Sequence, residues 1–162
     1  MTTALYVAVV GPGDSASADD VAAAREVGRL LAEAGAVVFT GGLDGVMAAA
    51  TEGATAAGGL TVALLPGTDR SMSPATVVVA TGLGELRNGL LVRAVDAVIA
   101  VGGSWGTLSE IASARRTDVP VVCLGGWTVA DPAGAEPGLN RVGSPAAAVA
   151  SILDACRARS EP

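Results

Sequence analysis

The apolar positions of the chain follow two patterns. Residues 5–10, LYVAVV, form an unbroken apolar run, the pattern of a strand covered on both faces. Similar runs stand at residues 36–39, 61–65, 75–80, 97–101 and 120–124. Between them the apolar residues recur at helical spacing. Val21, Ala24, Val27, Leu30, Leu31 and Ala34 share one face, with Arg25, Glu26, Arg29 and Glu33 on the other. Ser17 followed by Asp20 predicts an acidic capping box at the start of that helix, and Gly35 its end. Residues 44–57, 85–95 and about 105–116 predict three more helices. Ser144-Pro145 opens a last one, with Val149, Ile152, Leu153 and Cys156 facing inward. Residues 125–143 read as loop. Strands alternating with helices predict one doubly wound, mainly parallel sheet of about six or seven strands, with helices on both faces. This is a Rossmann-like α/β fold. It is expected to fill a single domain over residues 1–158, with residues 159–162 a frayed tail.

In such a sheet, ligands bind beyond the carboxyl ends of the strands, near the point where strand order reverses. The segments that follow the strands are GPGDS, TGGLDG, PGTDR, TGLGE, GGSWGT and GGW. They are rich in glycine, which lets a ligand touch the backbone. The turn at residues 102–107 leads straight into a helix. Its unpaired N–H groups and positive dipole end suit a phosphate. Gly103, Ser104, Gly106 and Thr107 supply that turn, together with Trp105. The indole is either cover for an apolar edge or a wall against a base or ribose. Gly11-x-Gly13-x-x-Ala16 matches the dinucleotide pattern. That match is weak, because the second strand ends in Thr40-Gly41-Gly42 where an acidic ribose ligand is expected.

Composition narrows the chemistry. The 162 residues carry a net charge of −6, with ten basic residues, all arginine, and no histidine. A histidine base, a histidine metal ligand and a Ser-His-Asp triad are therefore excluded, and without lysine so is a Walker motif. No metal site and no required cofactor are expected. The acidic balance argues against a nucleic-acid partner. No apolar run reaches the length of a membrane span, and the amino terminus lacks the basic flank of a signal peptide. Cys123 and Cys156 form no CxxC pair and read as buried apolar residues of a reducing compartment, so a cytoplasmic protein is expected.

Two stretches go beyond generic α/β. They are TGGLDGVMAAATEGA at residues 40–54 and GELRNGLLVRAVDAVIAVGGSWGTLSE at residues 84–110. Together they resemble the Lonely Guy phosphoribohydrolases, once misnamed lysine decarboxylases. That family carries a GGGxxGLMG stretch, an arginine-bearing helix and a PGGxGTxxE loop. The resemblance covers most of residues 5–125 and is closest to a bacterial branch. It extends to DNA-processing-protein-A-like folds and molybdenum cofactor carriers. It implies Arg87 and Glu110 as the reactive pair, since they stand 23 residues apart as the family's pair does. Asp96 also falls in register. Gly41, Gly42, Gly45 and Met47 match the first glycine stretch, and Gly103, Gly106 and Thr107 the phosphate loop. Gly11, Asn88, Ser104 and Trp105, which those motifs do not match, complete the expected binding set on their position after the strands.

Departures are equally specific. Gly102 stands for the family's proline, Ser104 for a glycine, and Thr40 and Ala48 for glycines of the first stretch. Gly84-Glu85-Leu86-Arg87-Asn88 replaces the family's Met-His-x-Arg-Lys. The resemblance implies N-glycosidic cleavage of a nucleoside 5′-monophosphate to free base and ribose 5-phosphate. Glu110 would stabilise an oxocarbenium-like transition state. Arg87 is expected to lower the Glu110 pKa and keep it ionised, and Asp14, Asp44 or Asp69 to act as the acid. The alternative is a non-catalytic carrier of a nucleotide or of a pterin phosphate such as the molybdenum cofactor. The family's members are dimers or larger, which implies a homodimer or higher oligomer meeting through the Arg87 and Glu110 helices.

Overall fold

A computed structural model describes residues 4–160. Seven strands form its sheet: β1 (Tyr6–Val10), β2 (Val37–Thr40), β3 (Thr61–Leu65), β4 (Val77–Ala80), β5 (Ala97–Val101), β6 (Val121–Leu124) and β7 (Asn140–Val142). Five helices connect them: α1 (Ala18–Glu33), α2 (Val46–Ala56), α3 (Arg87–Arg93), α4 (Trp105–Arg116) and α5 (Pro145–Ser160). The strand order is β4-β3-β2-β1-β5-β6-β7, and every pairing is parallel. The order reverses between β1 and β5. This is the doubly wound α/β fold that the apolar runs predict.

Side chains alternate across the sheet and build two cores. Val7, Val9, Val38 and Ile99 face α1, α2 and α5, burying Val27, Leu31, Ala50 and Ile152. Ala8, Val10, Phe39 and Val98 face α3 and α4, burying Leu91, Val92 and Ile111. Glycines let α1 and α2 meet backbone to backbone. A Cβ on Gly28 would overlap the Ala50 carbonyl oxygen, and one on Gly53 the carbonyl of Arg25.

The capping box of α1 forms as the sequence predicts. Ser17 Oγ accepts the Asp20 N–H at 3.0 Å, and Asp20 Oδ2 accepts the Ser17 N–H at 3.2 Å. The first turn of α1 carries two carboxylates, Asp19 and Asp20, where that of α4 carries none. Their charge disfavours a dinucleotide pyrophosphate at the Gly11-x-Gly13-x-x-Ala16 turn.

Three features differ from the sequence-based expectation. Residues 125–143 contain β7, whose Asn140 and Arg141 hide the apolar signature of an edge strand. Residues 84–86 form a separate 3₁₀ turn ahead of a shorter α3. Helix α5 runs through Arg159 and Ser160, where a frayed tail is expected; the Arg159 guanidinium donates to the Asp118 carbonyl across the base of the sheet. Glu161 and Pro162 lie outside the described residues.

Candidate functional site

The loops leaving β1, β2, β3 and β5 meet the amino terminus of α3 over the switch point. They enclose a cleft of about 320 Å³, the size of a small-molecule site. Its wall includes Gly11 and Gly13 after β1, Leu43 and Met47 after β2, and Pro66 after β3. Gly84, Glu85, Arg87 and Asn88 close one side, and Ser104, Gly106, Thr107 and Glu110 the other. A larger hollow of about 410 Å³ lies on the outer side of α4, lined by Leu108, Ile111 and Leu139. It is mostly apolar and gathers no convergent polar groups besides Arg115 and Arg116, so the cleft at the switch point is the site with chemistry.

At the head of α4, Ser104 is the N-cap. Its hydroxyl accepts the Thr107 N–H at 3.2 Å and lies 2.9 Å from Thr107 Oγ1. The Leu108 N–H bonds to the Ser104 carbonyl. The N–H groups of Trp105 and Gly106, the remaining two of the first turn, are left for a ligand. Gly102 precedes this turn with φ +69°, and a Cβ there would sit 2.8 Å from the Asp20 carboxylate. A proline, fixed near φ −65°, has no place at this position, which accounts for its replacement by glycine.

Arg87 and Glu110 form the floor of the cleft. Their side chains are 6% and 8% exposed, and Arg87 Nη1 lies 3.9 Å from Glu110 Oε1. That separation is an ion pair and too long for a hydrogen bond. Arg87 Nε is buried without a hydrogen-bond partner. Burial raises the Glu110 pKa from 4.5 to about 7, with Arg87 pulling weakly the other way. Burial likewise lowers that of Arg87, against the pull of Glu110. Arg87 does lower the Glu110 pKa as expected, but desolvation outweighs a cation that does not touch it, so the net shift is upward and the carboxylate is not held ionised.

Eight of the sequence-predicted residues line the cleft: Gly11, Met47, Arg87, Asn88, Ser104, Gly106, Thr107 and Glu110. Five others do not. Gly41 instead makes room for the arginine, since a Cβ there would overlap Arg87 Nη1. Gly42 packs on Leu65, and Gly45 backs onto the carbonyls of Pro12 and Gly13. Gly103 lies under Trp127, whose ring a Cβ would meet at 2.7 Å. Trp105 points outward, 78% exposed, and meets Trp127 edge to face with ring centroids 4.8 Å apart.

Asp14, Asp44 and Asp69, the expected acids, are not among the lining residues, where the carboxylates are Glu85 and Glu110. Asp69 caps the 3₁₀ turn Arg70–Met72 by accepting from Ser71. Asp96 lies at the far end of the sheet and accepts the Tyr6 N–H at 2.8 Å. Gly13, Leu43, Pro66, Gly84 and Glu85 also line the cleft beyond the sequence-predicted set, and the signal for each is its place in a segment that follows a strand. No group of three or more metal-ligating side chains occurs among the described residues. Among them too, no helix is long and apolar enough to cross a membrane.

Full-length similarity to solved structures is clear. A molybdenum cofactor binding protein from Rippkaea orientalis is 32% identical, with a TM-score of 0.83 over 99% of both chains. The Moco carrier protein of Chlamydomonas reinhardtii is 31% identical, with a TM-score of 0.83 over 97% of this chain and 99% of that one. DNA processing protein A from Helicobacter pylori shares the fold, at 18% identity and a TM-score of 0.69 over 94% of this chain and 82% of that one. An uncharacterised protein of Archaeoglobus fulgidus is 41% identical over 121 residues, 74% of this chain and 80% of its own. Residues 4–149 match the SLOG cluster4 family, and the chain belongs to that family.

Proposed function

We propose that this protein is a carrier that binds a phosphorylated pterin of the molybdenum cofactor type in the cleft at the switch point. The observation that carries this reading is the end-to-end similarity, at about a third identity, to proteins that bind or carry that cofactor. The geometry of the cleft supports it. The free N–H groups of Trp105 and Gly106 and the buried Arg87 guanidinium suit the phosphate. Gly11, Gly13, Leu43, Met47 and Pro66 leave a largely apolar wall for a flat ring. The cofactor is cargo here, and no resident cofactor or metal is required.

Nucleoside monophosphate hydrolysis is the weaker reading. Glycosidic cleavage with a carboxylate as stabiliser uses an ionised group near C1′ and a separate proton donor. Glu110 has a pKa of about 7, and Glu85 is the other carboxylate on the wall. The chain is expected to act in the cytoplasm as a homodimer or larger. Exposed Leu83, Leu86 and Leu90 beside α3 support an interface there. Light scattering during size-exclusion chromatography tests the assembly, and a 15.7 kDa species at micromolar concentration contradicts it.

Incubation with AMP and other nucleoside monophosphates separates the two activities. A carrier releases no free base. Base release that disappears in Glu110→Gln makes the protein a phosphoribohydrolase instead.

A further inference from the structure

The Arg87–Glu110 pair is built as an incomplete one. The guanidinium is buried, its Nε has no partner, and the carboxylate stands too far away to hydrogen-bond with it. A buried polar group without a partner is costly, so the floor of the cleft favours an additional acceptor. An anion seated against Arg87 supplies one, but it also brings negative charge close to Glu110 in a region of low dielectric.

We propose that an anionic ligand binds this cleft together with one proton, taken from solvent by Glu110, so that loading and release are coupled to pH. This rests on the reading of the cleft as an anion site. With Glu110 neutral, Arg87 offers its full charge to the ligand. With Glu110 ionised, the carboxylate competes for the same guanidinium and repels the incoming anion.

Asp20 from the head of α1 stands behind Gly102, Arg93 lies in the last turn of α3, and neither lines the cleft, which leaves these two groups in control. Arg87 comes from α3, and Glu85 stands at the rim from the turn before it. β5 brings no charged residue, and Arg115 and Arg116 lie in the last turn of α4, beyond Glu110. In β6, burial moves the Cys123 thiol further up. The chain has no histidine. Glu110, shifted to about 7 by its burial, is therefore the cleft group that changes charge between pH 6 and 8.

Sulfate is the probe, because it is a tetrahedral dianion that does not titrate in this range. Its affinity for the full-length protein, measured by calorimetry, is expected to fall about tenfold from pH 6 to pH 8. Repeating the titration near pH 8 in two buffers of different ionisation enthalpy should show uptake of roughly one proton. In Glu110→Gln the affinity should stay at the low-pH level throughout. A flat wild-type profile, the same slope in Glu110→Gln, no proton uptake, or no sulfate binding at any pH would each overturn the proposal. Because the probe is not a pterin, failure to retain the molybdenum cofactor, alongside pH-dependent sulfate binding, would count against the carrier reading and leave the proton coupling standing.

Discussion

Replacing Glu110 by glutamine removes a charge that the fold otherwise keeps out of water. Glu110 sits 8% exposed beneath the cleft, and its folded pKa is about 7 against an ordinary 4.5. Between those two values the folded state holds a proton that the unfolded chain has released. Stability therefore falls as pH rises through that window and levels off above pH 7. At about 1.4 kcal/mol per pKa unit, the full effect is roughly 3 kcal/mol. Glutamine keeps the shape of the protonated acid and has no such transition. The difference in unfolding free energy between Glu110→Gln and wild type is thus expected to grow by about 2 kcal/mol in favour of the variant from pH 5.5 to pH 8. Urea denaturation of both proteins at the two pH values measures it. Because the comparison is a difference, the other carboxylates cancel. A constant difference refutes the argument that desolvation outweighs Arg87, and a change of opposite sign shows that the ion pair wins.

Gly41→Ala tests the packing behind the arginine. Its Cβ would overlap Arg87 Nη1 and crowd Met47 Sδ, both on side chains that can shift, so stability should fall by only about 1 kcal/mol, the low end for an overpacked site. Sulfate affinity, in contrast, should fall several-fold as the guanidinium is displaced, read by the same calorimetric titration. Gly28→Ala should do the reverse. Its Cβ would overlap the backbone carbonyl of Ala50 between α1 and α2, and a loss of about 1–3 kcal/mol is expected in a urea melt with sulfate affinity unchanged.

The unbroken apolar runs and the helical spacing made most of the architecture legible, because strands buried on both faces and amphipathic helices each leave a strong apolar signature. β7 was hidden because three residues at a sheet edge, Asn140 to Val142, need little apolar character. The site was legible as a set of segments that follow strands, and Arg87, Ser104, Thr107 and Glu110 do meet in one cleft. What the residues each do there was less legible. Glycine is needed wherever two backbones or a side chain approach closely, and nothing in the sequence separates that need from room for a ligand. Gly41, Gly42, Gly45 and Gly103 are glycines of the first kind. The net sign of the Glu110 shift is illegible in the sequence for a related reason. Spacing pairs it with Arg87, but the 3.9 Å gap and the burial that decide the sign belong to tertiary structure.

Retention of cargo tests the carrier reading most directly. Molybdenum cofactor released anaerobically from a molybdoenzyme is mixed with the purified protein, and the protein is recovered by gel filtration. Molybdenum and pterin should co-elute with the wild-type chain, in equal amounts, and be lost from Arg87→Ala. Molybdenum and pterin eluting apart from the protein would contradict the account.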